Sequence, residues 1–231
     1  MSGDKLMYAL RFILVIVLLT SATTSVSAEL IFQKVAEIGI PSEQYEIVIN
    51  GNVLYALADA SNGIAIIDIS DIENPKIIKF WQPHPDKRIH KFIVDGKYGY
   101  ASFDGYIDIL DLSDPTDPTI IGEIDLGRHA SWGLCHKNNY LFHGGYGKVR
   151  IVDISSKMNP KIISEVSTTT WPLECVVVGN YLYVLGRDNS NGSPDKSTKS
   201  NLEIIDISNI EKPKSVAVLP LEFDTKSKRP V

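Results

Sequence analysis

Cysteine is scarce in this chain. Cys135 and Cys175 are the only two among 231 residues. Two in a chain of this size are not a disulfide framework. Positive charge is not in excess either. Lys and Arg number 23 against 28 Asp and Glu, a net charge of −5, so no basic stripe is available for nucleic acid. Beyond the N-terminus no segment sustains a 3.6-residue apolar period, which predicts almost no helix. A nucleophile elbow, a phosphate-binding glycine loop and an HExxH helix are all missing. The common signatures of an enzyme are therefore not present.

The apolar run at the start is short. Lys5 and Arg11 precede Phe12–Leu19, and small residues lead to Val26-Ser27-Ala28. A basic end, a short apolar stretch and a small-x-small site are the anatomy of a secretory signal peptide. A bilayer span needs about 20 apolar residues, so an uncleaved anchor is the lesser alternative. The sequence thus predicts a signal peptide over 1–28, a mature domain over 29–231, and a secreted or cell-surface location.

What is abundant is repetition. An apolar or alternating stretch ends in Asp-Ile/Leu-Ser, with Pro seven residues after the Asp, in four copies: IAIIDISDIENP, IDILDLSDPTDP, VRIVDISSKMNP and LEIIDISNIEKP. Their aspartates are Asp68, Asp111, Asp153 and Asp206, spaced 43, 42 and 53 residues apart. Each unit reads as four strands. An apolar first strand ends at a tight turn such as Asn50-Gly51 or Asp95-Gly96. A short aromatic strand follows, then the Ile/Val strand ending at the Asp, then a strand after the Pro. A period of about 40–45 with four strands per unit predicts an all-β propeller of four-stranded repeats, a stacked solenoid ranking below it. The repeats run over about 41–83, 84–125, 126–167 and 168–221. The longer last period comes from Asp188–Lys199, a polar insertion that cannot pack a core.

The third strands IAIID, IDILD, RIVDI and LEIID, with the following Ser and the later Pro, resemble the LVIVD repeat. The resemblance covers nearly the whole mature chain, about Phe32 to Leu219. It implies a β-propeller in a secreted or surface-associated protein. It implies no catalytic residues.

Three structural expectations follow from the residues. The repeated Asp and Ser shape the turn after each third strand rather than ligate an ion, and Pro opens an outer strand where no N–H is needed. Cys135 and Cys175 fall one register position apart on equivalent strands, hence on opposite faces, which predicts two free buried thiols. Ile31–Ile38 reads as a surplus outer strand. Either four blades close with a spare strand, or the array is truncated or completed by a partner. End blades left open would expose apolar faces and drive self-association.

The loops leading into each first strand and those joining second to third strands emerge on one face. They gather His90, Asp104, His129, Trp132, Tyr146, Trp171 and Glu174, the candidate ligand-binding residues. Aromatics beside polar groups on a rigid scaffold suit a protein, peptide or glycan. A metal site from His84, His90, His129 and His143 lacks any tight ligand spacing, and no metal or cofactor is expected. The expected function is a cell-surface interaction module without enzymatic activity. The alternatives are an extracellular hydrolase or lyase with a site at the central opening, and a structural surface-layer unit.

Overall fold

A computed structural model describes residues 34–40, 44–58, 63–127, 132–189 and 199–221. The expected signal peptide, His129 and most of the polar insertion lie outside these residues. The described residues hold sixteen strands and no helix, in four antiparallel four-stranded sheets with sequential strand order. Two compact units divide at Asp86 and Lys87.

The first unit holds one sheet, or blade: β1 (Gln44–Asn50), β2 (Val53–Ala58), β3 (Gly63–Asp68) and β4 (Lys76–Trp81). One face of it is built from Ala56, Ala65 and Ile67, with Ile38 and Ile40 of the preceding segment packed on it. Of the surplus strand expected over Ile31–Ile38, residues 31–33 lie outside the described residues, and residues 34–38 carry no strand. The segment uses its isoleucines as an apolar cover on the first blade, so side-chain burial replaces the ladder that its alternation suggested.

The second unit holds three blades. They are β5 (Ile89–Asp95), β6 (Tyr98–Phe103), β7 (Tyr106–Asp111) and β8 (Thr119–Asp125); β9 (Gly133–Lys137), β10 (Tyr140–Gly145), β11 (Lys148–Asp153) and β12 (Lys161–Ser167); and β13 (Thr170–Val178), β14 (Tyr181–Asp188), β15 (Ser200–Asp206) and β16 (Lys214–Leu221). These blades stack face to face. Tyr100, Ile107 and Ile109 of the β5–β8 blade meet Leu134, Leu141 and Val152 of the next. Phe142, Val149 and Ile151 of that blade then meet Leu182, Val184 and Ile205 of the last. Every blade thus has a forward face and a backward face, set by strand alternation. The first strands β5, β9 and β13 are neighbours, so they form the inner side of the stack.

The repeat motif is a turn device. In each copy the Asp carboxylate accepts a 2.8 Å bond from the amide N–H of the Ser two residues on: Asp68–Ser70, Asp111–Ser113, Asp153–Ser155 and Asp206–Ser208. These bonds to Ser hold all four carboxyls below the ordinary value of 3.8. The residue after the Asp donates its N–H to the tip of the first hairpin, as in Ile69 to Asn52 and Ile207 to Asn180. The residue before each Pro closes a turn back onto the carbonyl three residues earlier. The register slips by one residue on every fourth strand, opposite Ile66/Ile67, Ile109/Leu110, Ile151/Val152 and Ile204/Ile205. A bulge there twists the outer edge away from further pairing.

The two cysteines overturn the expectation of free thiols. Cys135 and Cys175 form a disulfide, with Cα atoms 5.8 Å apart. Cys135 pairs with Phe142, on the forward face of its blade, and Cys175 pairs with Val184, on the backward face of the next. The one-position offset holds, with the opposite consequence. Opposite faces of equivalent strands are the faces that meet when blades stack.

Candidate functional site

The innermost strands carry irregularities that place the site. In β5 the register slips between Ile89 and Lys91, leaving His90 as the extra residue; in β13 it slips between Pro172 and Glu174. A bulge re-aims the side chains around it. His90, nearly buried, meets Asp104 of the β6–β7 turn at 2.6 Å through Nε2. Its ring also lies 4.8 Å from that of Trp132, and the guanidinium of Arg88 sits 5.8 Å from the Trp132 ring. The Asp104 carboxylate is two-thirds exposed.

Past the bulge, Lys91 turns inward. Its Nζ donates to both oxygens of Glu174 on β13, at 2.7 and 2.9 Å. This pair reaches from the first to the last of the three stacked blades. The Lys91 side chain is mostly buried, while the Glu174 carboxylate is 56% exposed. Lys91 was missed in the sequence. The sequence carries no sharp signal for it: a lysine beside His90 in a strand reads as a solvated side chain until the bulge is known.

A second aromatic pair lies one blade further on. Tyr146 and Trp171 are 4.8 Å apart, their planes inclined by 52°. Tyr146 and Gly147 form the two-residue β10–β11 turn, with φ of 50° and 68°. Two successive positive φ values define a turn that normally takes Asn-Gly. A tyrosine in that conformation costs about 1–2 kcal/mol, and here its half-exposed ring is presented beside Trp171.

Hydrogen bonds fix the chain that leads into Trp171. Thr168 N–H donates to Gly147 O at 2.8 Å, and Asn189 N–H donates to Thr169 O at 2.8 Å. Glu203, fully buried on β15, accepts from the amides of Thr169 and Thr170 at 3.0 and 3.2 Å and from Ser215 Oγ at 2.6 Å. Glu203 thus positions the loop and does not itself reach the surface. Pro172 lies against Gly144 and Gly133, and at Gly144 the approach leaves no room for a larger residue.

Six of the seven expected site residues fall into this arrangement: His90, Asp104 and Trp132 in one group, Tyr146 and Trp171 in another, and Glu174 in the ion pair. The groups are continuous, since Trp132 N–H bonds to Gly144 O and Gly144 abuts Pro172. His129 lies outside the described residues. Among the described residues no three His, Cys, Asp or Glu side chains converge on a metal-sized site.

Residues 45–79 and 91–125 match the LVIVD repeat. No curated protein sequence matches the chain. Among solved structures it is similar in fold to a Lactobacillus plantarum protein, at 11% identity and a TM-score of 0.64, over 81% of this chain and 61% of that one. It is similar to the periplasmic gluconolactonase of Pseudomonas aeruginosa, at 13% and 0.59, over 76% and 53%. It is also similar to a chain of the mitotic checkpoint complex, at 14% and 0.63, over 82% and 57%. The chain thus spans about three-fifths or less of the length of these structures. The shared fold is the β-propeller.

Proposed function

We propose that this LVIVD-repeat propeller module is an exported binding protein that holds a glycan on the face bearing Trp132, Tyr146 and Trp171. The observation that carries this reading is the Tyr146–Trp171 pair. A tyrosine kept at positive φ beside a tryptophan, on a loop pinned by buried Glu203, is a preorganised aromatic platform. The apolar C–H face of a sugar packs on such rings. The exposed carboxylates of Asp104 and Glu174 accept hydrogen bonds from hydroxyl groups. Binding without chemistry requires only such placed groups on a rigid scaffold.

The test is a glycan array probed with the purified wild-type chain, then titration calorimetry on any hit. Trp171→Ala and Tyr146→Ala should each weaken the hit by about tenfold or more, since buried aromatic anchors dominate such interfaces. Binding that is unchanged in both variants would refute this placement, and binding only to peptides in a parallel peptide screen would refute the glycan.

One observation favours an enzymatic reading: the His90–Asp104 pair at 2.6 Å beside Lys91. Turnover of lactone or ester substrates by the wild type, lost in His90→Gln, would establish that reading and displace simple binding.

A further inference from the structure

The two interfaces between blades of the second unit follow one plan and differ at one end. That end bears the first hairpin turns and the Asp–Ser turns. It lies at the other end of the strands from Trp132 and Tyr146. Register makes the two interfaces comparable residue by residue. Asp95 pairs with Tyr98 as Lys137 pairs with Tyr140, and Tyr100 and Phe142 come two residues later. On the covering blade, Ile154 and Lys157 follow Asp153 as Ile207 and Ile210 follow Asp206.

Between the β5–β8 and β9–β12 blades, Lys157 fills this end. Its Nζ lies 4.9 Å from the centre of the Tyr98 ring and 5.9 Å from that of Tyr100, and it donates to Ile154 O at 2.8 Å. Burial lowers the pKa of this ammonium, and the carboxylates of Asp95 and Asp153 oppose that effect. The turn thus supplies a long cationic filler, and the hairpin supplies an anion to meet it.

Between the β9–β12 and β13–β16 blades both partners change. Ile210 stands in the place of Lys157 and lacks the length to reach across two rings. Tyr140, Phe142, Ile207 and Ile210, with Lys137 and Asn138, line a cavity of about 260 Å³. The hairpin charge is reversed as well, because Lys137 stands in the place of Asp95. Its ammonium donates to Gly179 O, a neutral acceptor, and has three N–H groups in all. Ser208, beside the cavity, turns its hydroxyl to Asp206. Lys137 and Asn138 are therefore the donors offered to a ligand.

We propose that this cavity is a separate ligand site, for a small organic carboxylate that carries one aromatic ring or branched apolar body. An apolar cavity of about 150 Å³ accepts a benzene-sized ring, so this one has room for a ring and a carboxylate together. The apolar body packs on Phe142, Ile207 and Ile210, and the carboxylate meets Lys137 and Asn138. Such a ligand is the counterpart of Lys157 with the charge reversed, which is what a hairpin carrying Lys137 in place of Asp95 requires. The proposed glycan site plays no part in it.

Saturation-transfer difference NMR on the full chain, with phenylacetate and isovalerate, tests the proposal. The wild type should bind phenylacetate saturably with a Kd of about 1 mM or tighter, and phenylacetamide at least about fivefold more weakly. Ile210→Lys copies Lys157, which the fold already accepts at the equivalent turn. It should abolish binding while keeping the wild-type circular dichroism and melting temperature. Lys137→Gln should weaken phenylacetate to the level of phenylacetamide. Trp171→Ala should leave phenylacetate binding unchanged, which separates this cavity from the aromatic platform. Saturable binding of neither acid, binding that survives a folded Ile210→Lys, binding lost in Trp171→Ala, or equal affinity for acid and amide would each overturn the proposal. If Ile210→Lys does not fold, the comparison of acid with amide in wild type and Lys137→Gln decides by itself.

Discussion

Breaking the Cys135–Cys175 bond should cost this protein a measurable share of its stability. The bond closes a loop of 40 residues and joins the first strands of two stacked blades. Constraining such a loop in the unfolded chain stabilises by about 4 kcal/mol at 25 °C on the chain-entropy relation, and native disulfides commonly give about 2–4 kcal/mol. A domain of this size shifts by roughly 2–4 °C per kcal/mol, so the loss should appear as about 10 °C. The perturbation is Cys135→Ala/Cys175→Ala, which suits the apolar surroundings supplied by Phe142, Val184 and Ile205. Thermal melts with and without reductant, on protein made in an oxidising compartment, give the comparison. The reductant should lower the wild-type melting temperature toward that of the variant and leave the variant unchanged. Thiol titration of the denatured wild type should find no free thiol before reduction. Two free thiols, or a variant that melts within about 1 °C of wild type, would refute the reasoning.

Other perturbations follow from the same contacts. Glu203→Ala leaves the amides of Thr169 and Thr170 without their acceptor and should cost about 2–4 kcal/mol, with a change in Trp171 fluorescence that a purely distant destabilisation would not give. Gly144→Ala drives a methyl into Pro172 and should lower the melting temperature and disturb the Trp171 platform together, read by thermal melt and by glycan titration. The four repeat aspartates have folded-state pKa values below the ordinary 3.8. Their contribution is therefore fully present above about pH 4 and is lost as pH falls through the lowered folded values. Asp111→Asn should flatten that acid limb in a denaturation series against pH, and an unchanged limb would sink the assignment.

The repeat made most of the architecture legible. Asp, Ser and Pro at fixed offsets are local turn chemistry, and local chemistry can be read one residue at a time. Blade order, strand positions and the four Asp–Ser turns were all readable in that way. The relation between blades was harder, because it depends on which face of one sheet meets which face of the next. Cys135 and Cys175 show the point: the register was correct in the sequence, and the stacking reversed its meaning. Ile38 shows another side of it. The Ile31–Ile38 stretch reads as a strand, but Ile38 rests on a sheet face rather than at a sheet edge.

The site shows where sequence reading stops for a different reason. His90, Asp104, Trp132, Tyr146, Trp171 and Glu174 are legible as polar and aromatic residues in or beside the loops of one face. Lys91 is not legible, because a strand lysine reads as a solvated side chain and only the bulge at His90 turns it toward Glu174. A bulge adds one residue to a ladder and leaves no composition signal, so no count of apolar positions detects it. The same bulge gives His90 to Asp104 and Lys91 to Glu174, two contacts from one irregularity. Within the second unit the β9–β12 blade has both faces covered, whereas the last blade leaves Tyr183, Ile204 and Leu202 only half-buried where its predecessors bury their equivalents. A repeat that stacks on itself cannot satisfy its end faces alone.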